Sequence, residues 1–170
     1  YLPDAATDVH AVVSVTCTGA GVAGASTGSE VAEIIIIDSS GSMDMPPTKI
    51  AAARRAAAVA VDEIIDGTWF ALISGHSVAQ MVYPRDPQLV RMDALHRDAA
   101  HEQLQRVRSG GATAIGSWIA AATELFGAVP ATQCHAILLT DGKIEGEPPS
   151  ALPEALRQAR KDAELTASAD

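Results

Sequence analysis

One short run of the chain carries the oxygen-bearing side chains that bind hard divalent cations. In the segment Asp38-Ser39-Ser40-Gly41-Ser42, a carboxylate and two hydroxyls stand at alternate positions. Oxygen ligands of this kind suit Mg²⁺ or Mn²⁺, and the run holds no thiolate or imidazole that would favour zinc. The run therefore predicts part of a site for Mg²⁺ or Mn²⁺.

Two apolar segments are predicted to position such a site. Four consecutive isoleucines precede Asp38, and a run this hydrophobic is typical of a strand buried on both faces. Residues Gln133–Thr140 form a second nearly continuous apolar run, which is followed by Asp141. Ligand sites of open α/β sheets lie just outside the carboxyl ends of the strands. We therefore expect the two strands to be adjacent and their aspartates to share one rim.

A glycine-rich loop supplies the third part of the candidate site. The loop Ser109–Thr113 contains two consecutive glycines and precedes a predicted helix that leads into the second apolar strand. Its tip can therefore reach the rim where that strand ends. The five residues that could surround one divalent ion are Asp38, Ser40, Ser42, Thr113 and Asp141.

The remaining pattern alternates strands and helices. Such alternation favours right-handed crossovers and predicts a doubly wound α/β domain, with helices on both faces of a mostly parallel sheet. A tight connection at residues 74–77 predicts one short antiparallel edge strand. Ile65 and Leu95 are among the apolar residues expected to face the core. The predicted elements after the isoleucine strand are the helix Lys49–Ile65, the strands Trp69–Ile73 and Ala79–Tyr83, and the helices Leu89–Val107, Ala114–Phe126 and Pro148–Ala163.

The N-terminal part of the chain predicts a separate unit. Residues His10–Thr18 alternate apolar and polar side chains, and a Gly-, Ala- and Ser-rich connection follows them. We therefore divide the chain into residues 1–30, a strand and flexible connection that could belong to a separate β layer, and residues 31–170, the α/β domain. Because the chain begins at Tyr1 rather than Met, a leader or a preceding domain could be missing.

Composition excludes some classes of partner. The net charge of −9 argues against nucleic acid, because binding to phosphates needs clustered Lys and Arg. No apolar run is long enough to cross a membrane and no signal peptide is recognisable, so we expect no membrane insertion and a cytoplasmic location. The Ala-rich, Arg-containing composition looks bacterial.

Together the three segments resemble a von Willebrand factor type A (VWA) domain with its metal-ion-dependent adhesion site (MIDAS). The matching motifs are Asp38–Met43, Gly110–Thr113 and Leu138–Gly142, in the family's order and at family-like separations. The resemblance covers about Val31 to Ala163. Because the family fold normally continues with one or two more strands, it also implies that the domain is incomplete at its C-terminal end.

This resemblance implies a role for each site residue. Ser40 and Ser42 would bind the metal directly, and Thr113 directly or through water. Asp38 and Asp141 would act through bound water or supporting hydrogen bonds. A carboxylate from an Asp or Glu of a partner protein would complete the coordination. The rim that meets this partner is predicted to include Asp44, Gly111 and Lys143.

The leading hypothesis is therefore a non-enzymatic, metal-dependent protein-interaction module. One alternative is a Mg²⁺-dependent hydrolase or phosphotransferase, since several such enzymes place an aspartate at the end of a central strand. Against it, Ser40 stands where a second aspartate would be expected, and no Lys or His is placed as a general base. Another alternative is a regulatory subunit of an ATPase-containing assembly. The chain has no GxxxxGK[ST] motif, so a partner would have to hydrolyse the nucleotide.

Overall fold

A computed structural model describes residues 11–18, 30–141 and 146–167 of the chain. These residues form one six-stranded sheet with four α-helices and a short 3₁₀ turn at Gly41–Asp44. The strands are β1 (Ala11–Thr18), β2 (Val31–Asp38), β3 (Trp69–Gly75), β4 (Ala79–Tyr83), β5 (Val90–Arg91) and β6 (Gln133–Thr140). The helices are α1 (Thr48–Glu63), α2 (Ala94–Leu104), α3 (Ile115–Phe126) and α4 (Ala151–Ala167).

The sheet is parallel at its centre and antiparallel at its edges. Its strand order is β1-β6-β2-β3-β4, and β5 also pairs with β3. Strands β6, β2 and β3 run parallel, while β1 pairs antiparallel with β6, and β4 and β5 pair antiparallel with β3. The doubly wound α/β class and the adjacency of β2 and β6 are confirmed. Because these two strands are parallel neighbours, Asp38 and Asp141 leave the sheet at the same rim.

The isoleucine run of β2 divides the core between the two faces of the sheet. Ile35 and Ile37 pack with α1 and α2, whereas Ile34 and Ile36 pack with α3 and α4. All four side chains are fully buried. Burying one such side chain contributes about 1.5–3 kcal/mol relative to leaving it exposed. A shift of register in β2 would move these residues to the wrong faces, so the position of Asp38 is strongly fixed.

Strand β1 lies elsewhere than the sequence suggested. We considered that the N-terminal strand could belong to a separate β layer, but Ala11–Thr18 pairs with β6 over its whole length in the main sheet. An alternating strand is half-exposed, and an edge strand of the same sheet meets that condition as well as a separate layer does. The division of the chain at residue 30 stays a prediction.

Two helix predictions also need correction. The predicted helix Leu89–Val107 begins only at Ala94, because β5 and the N-cap residue Asp93 precede it. Leu95 is consequently 79% exposed rather than buried. Ile65 lies beyond the end of α1 and is 77% exposed, so its predicted place in the core was also wrong. None of the helices in the described ranges is long and apolar enough to cross a membrane.

Candidate metal centre

Asp38 is the most deeply buried charged group of the candidate site. Its side chain is fully buried at the end of β2. Oδ1 accepts a hydrogen bond from the Ser40 backbone N–H at 2.9 Å, and Oδ2 accepts one from the Thr140 hydroxyl at 2.6 Å. None of the ion pairs among the described residues includes Asp38. A buried carboxylate without a cation carries a desolvation cost that a bound cation would offset.

Ser40 and Ser42 lie next to this carboxylate and next to each other. Their Oγ atoms are 3.0 Å apart, and the Ser42 hydroxyl donates to Asp141 Oδ1 at 3.3 Å. The 3₁₀ turn at residues 41–44 holds this geometry, because the Met43 N–H donates to the Ser40 carbonyl at 3.0 Å. Met43 itself is buried beneath the turn. The hydroxyls and Asp141 therefore form one polar group at the rim.

Two backbone hydrogen bonds fasten the glycine-rich loop to this group. The Gly110 N–H donates to the Ser39 carbonyl at 2.7 Å, and the Gly41 N–H donates to the Gly111 carbonyl at 2.8 Å. Gly111 has a φ of 78°, a conformation that glycine adopts without strain. Thr113 follows two residues later and is 2% exposed. The structure thus ties the loop that carries Thr113 to the loop that carries the serines.

Lys49 is a member of the site that the sequence analysis missed. Its Nζ donates to Asp141 Oδ2 at 3.1 Å, and the two side chains are only 15% and 9% exposed. Lys49 lies in the first turn of α1, where a positive charge opposes the helix dipole. That unfavourable position was the available signal that a nearby carboxylate compensates the lysine. Lys143, which the sequence predicts at the partner-binding rim, lies outside the described residues.

Three further contacts surround the site. The Ser39 side chain is fully buried, and its Oγ lies 2.6 Å from Ser74 Oγ, which joins β2 to β3. Asp44 accepts a hydrogen bond from the Ser109 hydroxyl at 3.0 Å, so this predicted rim residue meets the glycine-rich loop. Glu147 accepts a hydrogen bond from the Gly116 N–H at 2.9 Å near the start of α3.

The donor chemistry of the rim fits a hard divalent cation. Among the described residues, no three His, Cys, Asp or Glu side chains form a metal-binding cluster, so a metal here would depend on hydroxyl ligands. The rim offers such hydroxyls beside two carboxylates, and magnesium accepts oxygen ligands of both kinds. The fold is an open-sheet α/β domain, and the polar rim lies at the strand ends, where ligand sites of this class are usually found.

The comparisons identify the family. The family model described as von Willebrand factor type A domain matches residues 34–143. The chain therefore belongs to the VWA domain family, a family of protein-interaction modules. No protein of curated function matches the chain significantly.

Solved structures agree with this assignment. A von Willebrand factor type A protein from Catenulispora acidiphila is 45% identical, with a TM-score of 0.74, over 89% of this chain and 34% of that one. The tip protein Mfa5 of Porphyromonas gingivalis type V pili is 14% identical over 65% of this chain and 37% of its vWF domain chain, with a TM-score of 0.54.

A third similar structure is proximal thread matrix protein 1 of the mussel byssus, described with a zinc-occupied MIDAS motif. It is 21% identical over 86% of this chain and 35% of that one, with a TM-score of 0.57. At these identities the pilus and byssus proteins support the fold alone. The chain spans only about a third of the length of the structures that it matches.

Proposed function

We propose that this domain binds a partner protein through a divalent metal ion held at the rim of β2 and β6. Ser40, Ser42 and Thr113 would hold the ion, and Asp38 and Asp141 would support it. The observation that carries the proposal is the buried Asp38 carboxylate beside two serine hydroxyls that are 3.0 Å apart. This carboxylate accepts two hydrogen bonds but forms no ion pair among the described residues. When bound, Mg²⁺ or Mn²⁺ would supply a position for an external carboxylate.

The protein residues define what kind of partner group is favoured. Hydroxyl ligands are neutral, so they leave most of the positive charge of a bound cation available to an incoming anion. Asp38 is held by the Ser40 N–H and the Thr140 hydroxyl, and its charge is therefore oriented toward the site without being neutralised there. An Asp or Glu side chain of the partner is the group that this arrangement favours.

A partner-capture experiment tests the proposal. The domain is immobilised and exposed to extracts of the source cells in Mg²⁺, in Mn²⁺, in Zn²⁺ and in chelator, and bound proteins are identified by mass spectrometry. The zinc arm is included because the mussel protein is described with zinc at its MIDAS. We expect a specific partner to be captured with at least one of these metals and to be lost in chelator and in the double variant Ser40→Ala/Ser42→Ala.

A matched control removes two hydroxyls elsewhere. Ser117 and Ser150 are exposed, and Ser117→Ala/Ser150→Ala should capture the partner as the wild type does. Specific binding that survives both chelator and the Ser40→Ala/Ser42→Ala change would refute the proposal.

The two alternatives from the sequence, a Mg²⁺-dependent hydrolase or phosphotransferase and a regulatory subunit of an ATPase assembly, gain no supporting observation among the described residues. The cytoplasmic location stays a prediction, as does the bacterial origin. The similar pilus and byssus proteins show only that the fold occurs in proteins of those kinds.

A further inference from the structure

Among the described residues, the groove next to the candidate metal centre is lined by three arginines and by no acidic residue. Its volume is about 800 Å³, which lies within the range of ligand sites. The chain as a whole has 21 acidic and 12 basic residues, so a surface with this composition stands out. We call it the arginine groove, and its polar lining includes Arg85, Arg106, Arg108, His76, Gln80 and Gln103.

The three arginines keep their charges uncompensated. All are exposed, and none of the ion pairs among the described residues includes them. Arg106 donates to the Gln103 side-chain oxygen at 3.4 Å, and Arg108 donates to the Gln105 carbonyl at 3.1 Å, so both contacts are with neutral acceptors.

Two other arginines of the described residues form ion pairs. Arg91 forms an ion pair with Glu30 at 2.7 Å, and Arg97 forms one with Asp66 at 2.8 Å. The lack of an ion pair at the groove arginines is therefore not shared by every arginine of the described residues.

A fourth guanidinium lies close behind the groove. Arg54 and Arg108 both donate to the Val107 carbonyl. Burial lowers the pKa of Arg54, and the positive charge of Arg108 lowers it further. Like charges are thus held together here, and an external anion would relieve their repulsion.

The groove is continuous with the candidate metal centre. Ser109, Gly110 and Gly111 line the groove, and backbone hydrogen bonds join the two glycines to Ser39 and Gly41 at the rim. One ligand could therefore contact both surfaces. Asp44, which accepts a hydrogen bond from the groove residue Ser109, is an acidic side chain beside this connection.

We propose that the arginine groove binds an acidic segment of the partner, adjacent to the carboxylate that reaches the metal. This inference deepens the proposed function and rests on it, because the carboxylate at the metal decides which segment of the partner lies beside the groove. Arginine forms paired hydrogen bonds with carboxylates, so Asp and Glu side chains of an extended peptide suit the groove. A nucleic acid suits it less, because the described lining contains no Trp, Tyr or Phe side chain for base stacking and the chain is acidic.

Fluorescence anisotropy with a labelled oligo-glutamate peptide tests this inference. Binding is measured to the wild type and to Arg85→Gln/Arg106→Gln/Arg108→Gln, in Mg²⁺ and in chelator. Each exposed charge pair contributes little, so the loss of all three arginines should weaken binding by about tenfold. An oligo-glutamine peptide of the same length should not bind.

The matched control removes the same net charge elsewhere. Arg55, Arg157 and Lys161 are exposed and lie outside the groove. The variant Arg55→Gln/Arg157→Gln/Lys161→Gln should weaken binding by less than about twofold, since separated surface charges are largely screened. Because Arg106 and Arg108 also contact their own helix end, Arg85→Gln alone serves as a second variant, for which we expect a loss of about twofold to threefold.

The outcomes separate this inference from the proposed function. Equal losses in the groove and control variants, no binding of oligo-glutamate to the wild type, or tighter binding of single-stranded DNA of equal charge would each overturn the inference. If the groove variant weakens binding but Mg²⁺ has no effect, the groove inference stands and the metal-dependent function fails. If Mg²⁺ strengthens binding and the groove variant has no effect, the reverse holds.

Discussion

The two ends of the central sheet both carry acidic side chains, but the groups that contact these side chains differ between the ends. At the amino end of β2, Glu30 accepts hydrogen bonds from Arg91 at 2.7 Å and from Trp69 Nε1 at 3.0 Å. The Arg91 guanidinium also lies 4.1 Å from the centre of the Trp69 ring. At the carboxyl end, the buried Asp38 accepts hydrogen bonds from the Ser40 backbone N–H and the Thr140 hydroxyl, the two donors to it among the described residues. Within the described residues, Arg91 supplies a cation at the amino end, and none of the ion pairs includes Asp38 at the carboxyl end.

This difference distinguishes Glu30, whose contacts stabilise the fold, from Asp38, whose charge is available to a bound cation. The hydrogen bond from Arg91 lowers the pKa of Glu30 most, and the hydrogen bond from Trp69 lowers it further. A carboxylate whose negative charge is compensated in this way attracts a cationic ligand only weakly. Asp141 is an intermediate case, since it contacts both the Ser42 hydroxyl and the ammonium group of Lys49. On this view, metal binding should depend on Asp38 most and on Glu30 not at all.

Asp38→Asn should produce the largest effect of any single substitution. An asparagine can still accept from the Ser40 N–H and can donate to the Thr140 hydroxyl, so the fold should survive. Removing the buried charge should lower Mg²⁺ affinity by about 100-fold while changing the free energy of unfolding without metal by less than about 1 kcal/mol. Calorimetric metal titration and urea unfolding measure the two quantities. Wild-type affinity in this variant would contradict the comparison.

Gly111→Ala should have the next largest effect. A Cβ at this position would lie 2.9 Å from Ser77 Oγ, and the φ of 78° is strained for alanine. We expect the free energy of unfolding to fall by about 1–2 kcal/mol, together with weaker Mg²⁺ binding, because this residue fastens the loop to Gly41. Gly127→Ala is the control, since Gly127 has a helical φ of −65° and a Cβ added there would meet no atom nearer than 3.5 Å. If the two substitutions lowered the free energy of unfolding in urea equally, the special role of Gly111 in fastening the loop would be contradicted.

Lys49→Met should strengthen metal binding. The ammonium lies 3.1 Å from Asp141 and repels an incoming divalent cation, so its removal should raise Mg²⁺ affinity by about fivefold, or about 1 kcal/mol. Titration calorimetry measures the change, and Arg55→Met, on the exposed face of the same helix, controls for net charge. Weaker binding in Lys49→Met would mean that the lysine instead holds Asp141 in its binding position.

Glu30→Gln should have the smallest effect, and only on stability. Because the pKa of Glu30 is lowered in the folded protein, the charged group stabilises the fold above its ordinary pKa of 4.5. This contribution is lost as the pH falls through the lowered pKa. Thermal unfolding should therefore show a lower Tm for the variant at neutral pH and a difference that narrows at acidic pH. Mg²⁺ affinity should be unchanged, and a pH-independent Tm difference would contradict this account.

The carboxyl end of the sheet was largely predictable from the sequence. Four consecutive isoleucines identify a strand buried on both faces, and a following aspartate must then lie at the rim. The apolar run that ends before Asp141 gave the second strand in the same way. These predictions succeeded because buried parallel strands have a distinctive composition and a fixed relation to their loops.

The features that were missed depend on contacts distant in sequence or on a local boundary signal. The pairing of β1 with β6 joins residues more than a hundred positions apart, and alternation alone does not name a partner strand. Lys49 and Asp141 are likewise 92 residues apart. The start of α2 had a local signal, since Asp93 caps the helix by accepting from the His96 N–H at 2.7 Å. Using that capping signal would have placed Leu95 in the exposed first turn.

The central claim is that the rim of β2 and β6 binds a divalent metal through its serine hydroxyls. Titration calorimetry of Mg²⁺ and Mn²⁺ into the wild type and into Ser40→Ala/Ser42→Ala tests it most directly, with Ser117→Ala/Ser150→Ala as the control. The account predicts saturable binding of one ion per chain in the wild type and the control, and none in the double variant at the same concentrations. Binding of equal affinity in all three proteins would contradict it.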